Sequence, residues 1–253
     1  MKFESKKMTL SDGGMHHLGA KKEDVCRKMI LVCSEEEAKE VSEYLDDRAV
    51  TASHREYLTY RGYRNGEQLG VISIGHGCMP MAIAVEELKH LDVQTIVKIG
   101  EAQAIMPGIR PGTVIVPSAA VRSEGASREY VPDSYPACSD IPLLGKLADA
   151  LDGKGMDVKV GIVRSHDAYY TENPVDPDAE EKISRWAKLG VLANEHECSS
   201  MFVLAELLKM RAASVMIVKE NIADQTAINS AEYKKLYDAV ADIVLNVLCD
   251  PDL

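Results

Sequence analysis

Three short, nearly continuous apolar runs most narrow what this chain can become: residues 29–33 (Met-Ile-Leu-Val-Cys), 95–99 (Thr-Ile-Val-Lys-Ile) and 215–218 (Val-Met-Ile-Val). Runs this short, without polar alternation, suit strands covered on both faces, as in sheets sandwiched between helices. Helical periodicity fills much of the space between them, at residues 35–45, 80–90, 143–151, 179–189 and 199–210, and further strands are expected at 113–121 and 158–163. This alternation defines the α/β class. Asn65-Gly66 lies between two more apolar stretches, 57–63 and 68–74, and supplies the positive φ angles of a tight hairpin, so those two strands are antiparallel neighbours. Leu236, Val240, Ile243, Val244, Val247 and Leu248 recur at three-to-four spacing and predict a closing amphipathic helix.

With 46% apolar and 27% charged residues, the 253-residue chain has material for a full core, which excludes disorder as its main state. No window reaches the roughly 18 apolar residues of a membrane span, and the first twenty residues lack a signal-peptide apolar region. A soluble, cytoplasmic protein is expected. The net charge of −11, with no basic patch, argues against nucleic acid and membranes as partners. Six scattered cysteines (Cys26, Cys33, Cys78, Cys138, Cys198, Cys249) read as free thiols. There is no internal repeat or long linker, so one domain over residues 1–253 is expected, with 1–27 as an N-terminal arm. No P-loop, nucleophile elbow or dinucleotide fingerprint occurs, and no organic cofactor is expected. Glu195, His196, Glu197 and Cys198 offer metal-ligating groups, but adjacent residues on an extended segment face opposite ways, so no metal is expected there.

Six ordered stretches carry a resemblance: Met15-His16-His17-Leu18-Gly19, Ala52-Ser53-His54-Arg55-Glu56-Tyr57, residues 84–88 (Ala-Val-Glu-Glu-Leu), 99–105 (Ile-Gly-Glu-Ala-Gln-Ala-Ile), 121–127 (Val-Arg-Ser-Glu-Gly-Ala-Ser) and 195–199 (Glu-His-Glu-Cys-Ser). Together they resemble the nucleoside phosphorylase family, its uridine phosphorylase branch most closely, from His16 to Leu248. The resemblance implies a three-layer α/β/α fold around a central mixed sheet. It also implies assembly as a homo-oligomer, a dimer or a hexamer of dimers, and cleavage of a small-molecule nucleoside at its N-glycosidic bond with inorganic phosphate as co-substrate.

Residue by residue, the resemblance places Glu197 as acceptor for the ribose hydroxyls, with His196 where the family has Met, and His17 reaching the sugar from a neighbouring subunit. At the phosphate positions the family's Gly-Asp-Pro-x-Arg loop is replaced by Ser34-Glu35-Glu36-Glu37-Ala38, an Arg by Lys98 and a Thr by Glu101; Arg55, which resembles the arginine lent across the dimer interface, is kept. A phosphate co-substrate is therefore doubtful. Glu101 is either a catalytic carboxylate or a salt-bridge partner of Lys98 or Arg55. At the base end, Tyr169 is placed to stack, Gln103 and Lys219 to line the site, and the two family base-readers fall on Asn173 and Val175. Glu220 is either a proton donor to the leaving base or a solvated strand end. Three functions stay open: a phosphorylase with an unusual anion site, a phosphate-independent nucleoside hydrolase, and a silent nucleoside-binding or scaffolding homologue.

Overall fold

The computed structural model describes residues 6–170, 178–251 and 253. It opens with β1 (Lys28–Val32), α1 (Glu35–Ser42), the strands β2 (Asp46–His54), β3 (Tyr57–Arg64) and β4 (Glu67–Ser73), and α2 (Cys78–His90). There follow β5 (Thr95–Ala104), β6 (Val114–Ser123), α3 (Ile141–Asp152), β7 (Val158–His166), α4 (Ala179–Lys188), β8 (Val191–Glu195), α5 (Cys198–Leu208), β9 (Arg211–Asn221), the short β10 (Thr226–Ala227) and α6 (Ser230–Leu248).

All ten strands belong to one mixed sheet, in the order β10-β9-β6-β7-β8-β5-β1-β4-β3-β2. Because β9 also pairs with β5, the strands β5, β9, β6, β7 and β8 form a closed ring from which β1, β4, β3 and β2 extend. The predicted hairpin is present: Arg64 pairs with Glu67, and the turn residues Asn65 and Gly66 have φ of 52° and 83°. One buried cluster packs α2, α5 and the arm against the sheet, and a second packs α1, α3 and α6 against its other face. This is the layering expected from the apolar runs.

Three strands escape the apolar pattern, the two-residue β10 among them. β2 is polar and mostly exposed because it is an edge strand, paired only through β3. β8 lies between α4 and α5, where the segment from Gly190 reads as helix end rather than strand. The arm is ordered over its described part: Met15, Leu18 and Ala20 are fully buried in the core. It is fastened by the Glu87 carboxylate of α2, which accepts from the amides of His17 (3.0 Å) and Leu18 (2.9 Å).

The sheet also determines where a site can lie. β1 runs parallel to both β4 and β5, and β5 parallel to β9, so their carboxyl ends open on one edge, where α/β proteins gather ligand-binding residues.

Asp140 both starts α3, capping the Leu143 amide (2.8 Å), and ties it to the sheet by pairing with Arg211 of β9 (3.1 Å). Asp140→Ala should lower stability by about 1–2 kcal/mol, the size of a lost N-cap with a half-buried ion pair, read as a lower urea midpoint at unchanged slope.

Candidate functional site

The centre of the candidate site is a fully buried ion pair. Lys98 on β5 places its Nζ 3.0 Å from Glu197 Oε2, with both side chains almost wholly enclosed. The other oxygen, Glu197 Oε1, accepts from the Gly77 amide at 2.8 Å. Burial alone pushes the Glu197 carboxyl up, but the Lys98 ammonium, the Gly77 amide and His196 outweigh it and hold the group below its ordinary range. Burial likewise opposes the charge on Lys98, and the acidic side chains around it, Cys33 and Glu197 first, hold the amine well above its ordinary value. Space for the ammonium comes from Gly100, where an added Cβ would stand 2.5 Å from Lys98 Nζ.

Glu197 is positioned from below. It precedes the first turn of α5, and Glu195 Oε2 accepts from the amides of Glu197 and Cys198, each at 2.8 Å, while Ser165 bonds to the other Glu195 oxygen. The 195–198 segment is therefore committed internally. His196 Nδ1 lies 2.6 Å from the His166 carbonyl, and Cys198 is buried with its thiol pushed well up by desolvation.

Around the start of α1 the structure corrects the picture of free acid groups. Glu35 and Glu36 point to solvent. Glu37 closes a capping box: Ser34 Oγ accepts from the Glu37 amide (3.1 Å), and Glu37 Oε2 accepts from the amides of Cys33 (2.9 Å) and Ser34 (3.0 Å). Ser34-x-x-Glu37 is the capping-box signature, a signal present in the sequence that reading the stretch as an acidic loop overlooks. Ala38, the position of the family's arginine, is fully buried in the core.

Glu101 pairs with neither Lys98 nor Arg55. Alternation along β5 turns Lys98 and Glu101 to opposite faces, and Glu101 bonds Lys219 of β9 at 2.7 Å. Beside it, Gln103 Nε2 donates to Glu220 Oε1 at 2.7 Å, so Glu220 is not simply a solvated strand end. The rings of Tyr169 and His196 pack at a tilt of 34°, with centroids 5.1 Å apart. Burial, then the Glu101 and Glu220 carboxylates, raise the Tyr169 hydroxyl above its ordinary value, which puts all three in one polar neighbourhood. Lys219 also lies over the ring of Tyr233 from α6, at 5.6 Å. Asn173 and Val175 lie outside the described residues.

The two residues attributed to a neighbour's site stand apart. His17 Nδ1 lies 2.8 Å from Glu87, and Arg55 sits exposed in the β2–β3 turn with a φ of 56°. The residues that sequence reading missed are Cys33, Glu37 as a cap, and His76. Only Glu37 left a local signal; the others are brought in by strand ends far apart in sequence.

A family model described as the phosphorylase superfamily matches residues 27–249, and the chain belongs to that superfamily. Uridine phosphorylase from Thermococcus kodakarensis is 33% identical over 228 residues, covering 87% of this chain and 82% of that protein. Uridine phosphorylase from Haemophilus influenzae is 31% identical over 242 residues, 92% and 96% of the two chains. Guanosine phosphorylase from Halorubrum lacusprofundi is 30% identical over 206 residues, 81% and 83%. The crystal structure of uridine phosphorylase from Vibrio fischeri ES114 with 6-hydroxy-1-naphthoic acid superposes with a TM-score of 0.85 at 28% identity, covering 93% of this chain and 96% of that one.

Removing one member of the buried pair leaves an uncompensated charge. Lys98→Met should cost about 3–5 kcal/mol in urea unfolding, and adding Glu197→Gln should restore much of it. In the wild type, the contribution of the lowered Glu197 is full above its ordinary 4.5 and disappears as pH falls through the lower folded value. That of the raised Lys98 is full below its ordinary 10.5 and disappears as pH rises through the higher folded value. A flat stability profile between those limits, lost in the double variant only at its edges, checks the assignment.

Proposed function

We propose that this protein cleaves the N-glycosidic bond of a nucleoside and takes water, rather than phosphate, as the nucleophile. The observation that carries this reading is Glu37: its carboxylate already accepts from the amide of Ser34, the first position of the loop that the resemblance assigns to phosphate, and from that of Cys33 just before it. An anion entering there must displace one that belongs to the chain. No arginine replaces it, since the corresponding position is the buried Ala38, and the charge of Lys98 is committed to Glu197. Each carboxylate held about 4 Å from a phosphate charge costs on the order of 4 kcal/mol at an effective dielectric near 20. Water, being neutral, carries no such penalty.

The remainder of the pocket supports a nucleoside. Glu197 keeps acceptor capacity beside its present bonds for a sugar hydroxyl. The half-exposed Tyr169 ring beside His196 offers an aromatic face to a base, and the Gln103–Glu220 and Glu101–Lys219 pairs offer donors and acceptors to its edge. Relatives named uridine and guanosine phosphorylases agree with that substrate class. In this reading His17 and the exposed Arg55 complete the pocket of a second copy, so the working unit is a two-fold homo-oligomer.

Base release from a panel of nucleosides, measured with and without inorganic phosphate, tests the proposal. Free ribose should form, with no more than weak stimulation by phosphate, and Glu37→Ala combined with Glu101→Thr should raise the phosphate dependence. Saturable phosphate activation of the wild type with ribose 1-phosphate as product would show that the anion seat opens. Binding of nucleoside with no base release under either condition would reduce the protein to a binder.

A further inference from the structure

Cys33, His76 and Glu197 come from three separate places, the residue after β1, the loop between β4 and α2, and the residue before α5, yet one potential ligand atom from each lies within 4.8 Å of the others. We propose that these three side chains bind a divalent transition-metal ion of borderline softness, zinc or cobalt, and leave one coordination position open towards the pocket. The donor set decides the class of ion. A thiolate, an imidazole and a carboxylate select against calcium and magnesium, which prefer oxygen alone, and three protein ligands with one open position is the pattern of catalytic zinc.

The surroundings fit a cation. Burial first, then the Glu197, Glu37 and Glu101 carboxylates against the single ammonium of Lys98, hold the Cys33 thiol well above its ordinary range, so an ion must displace its proton. Binding exchanges a proton for the ion, Cys–SH plus M²⁺ giving Cys–S–M⁺ plus H⁺, so the site gains one positive charge, which those carboxylates offset. Glu197 is already oriented as a ligand should be, by the Gly77 amide on one oxygen and Lys98 on the other. Tetrahedral zinc with bonds of about 2.0–2.3 Å needs its ligand atoms roughly 3.3–3.8 Å apart, so the cluster must close by about 1 Å. His76 can supply that movement, because its side chain is exposed and it sits between Gly75 and Gly77, with φ of 76° and 98°.

Metal binding stands on this geometry alone. Its use, an ion-bound water of lowered pKa attacking the anomeric carbon, rests on the hydrolytic reading given above.

The test is titration of metal-stripped protein with Co²⁺, followed by visible and near-ultraviolet absorption, with Zn²⁺ competition. Wild type should show tetrahedral ligand-field bands with thiolate-to-cobalt charge transfer. Cys33→Ser should abolish the charge transfer, His76→Ala should weaken binding by at least about tenfold, and Cys138→Ser, an exposed thiol elsewhere, should change nothing. If Cys33→Ser fails to fold, the surface variant His76→Ala still decides. Absence of charge transfer in the wild type, its survival in Cys33→Ser, or unchanged affinity in His76→Ala would each overturn the site. Base release assayed separately keeps the two ideas apart: cobalt binding with phosphate-dependent release removes the hydrolytic reading and leaves the metal site, and phosphate-independent release without cobalt binding does the reverse.

Discussion

The Lys98–Glu197 pair constrains everything built around it. Two charges withdrawn from water are tolerable only when each meets the other and the remaining valences are satisfied. That requirement explains Gly100, which leaves room for the ammonium, and the Gly77 amide aimed at the second carboxylate oxygen. It also explains Glu195, which spends its own charge on the amides that begin α5 and so fixes Glu197 at the helix entrance. Lys98 lies within β5, Gly77 follows β4 and Glu197 follows β8, and a shift of register in any of these strands would strand a buried charge.

A second economy concerns the start of α1. A helix N-terminus and the amides before it attract an anion. In this chain the attraction is met by Glu37, four residues from the Cys33 amide it binds, and the same bonds that cap the helix remove the donors from ligand chemistry. The amides at this helix start are thereby satisfied within the chain itself. The pairing of Glu101 with Lys219 points the same way, since it turns one further carboxylate into part of a network between β5 and β9.

Much of this was legible in the linear chain. The apolar runs gave β1, β5 and β9, the Asn65-Gly66 turn gave the antiparallel hairpin, and the spacing of Leu236 to Leu248 gave α6, because each is governed by neighbours a few residues away. The edge strand β2 was invisible since an exposed strand needs no apolar face, and β8 was hidden among residues that serve equally well to end a helix. Family membership was legible from six short stretches, and Glu197 from the best matched of them.

Pairing was another matter. Which carboxylate meets Lys98 depended on the alternation of faces along β5 and on the end of β8, some hundred residues apart in sequence, so Glu101 was the nearer partner on paper and Glu197 the partner in space. Cys33 and His76 look unremarkable where they stand, one after a strand and one between two glycines, and only the parallel arrangement of β1 and β4 sets them beside Glu197. Local sequence thus determined the elements and the family, through short-range periodicity and turn chemistry, while the tertiary structure alone decided how the charges were partnered, because burial makes each charge answer to whatever the sheet brings within a few ångströms.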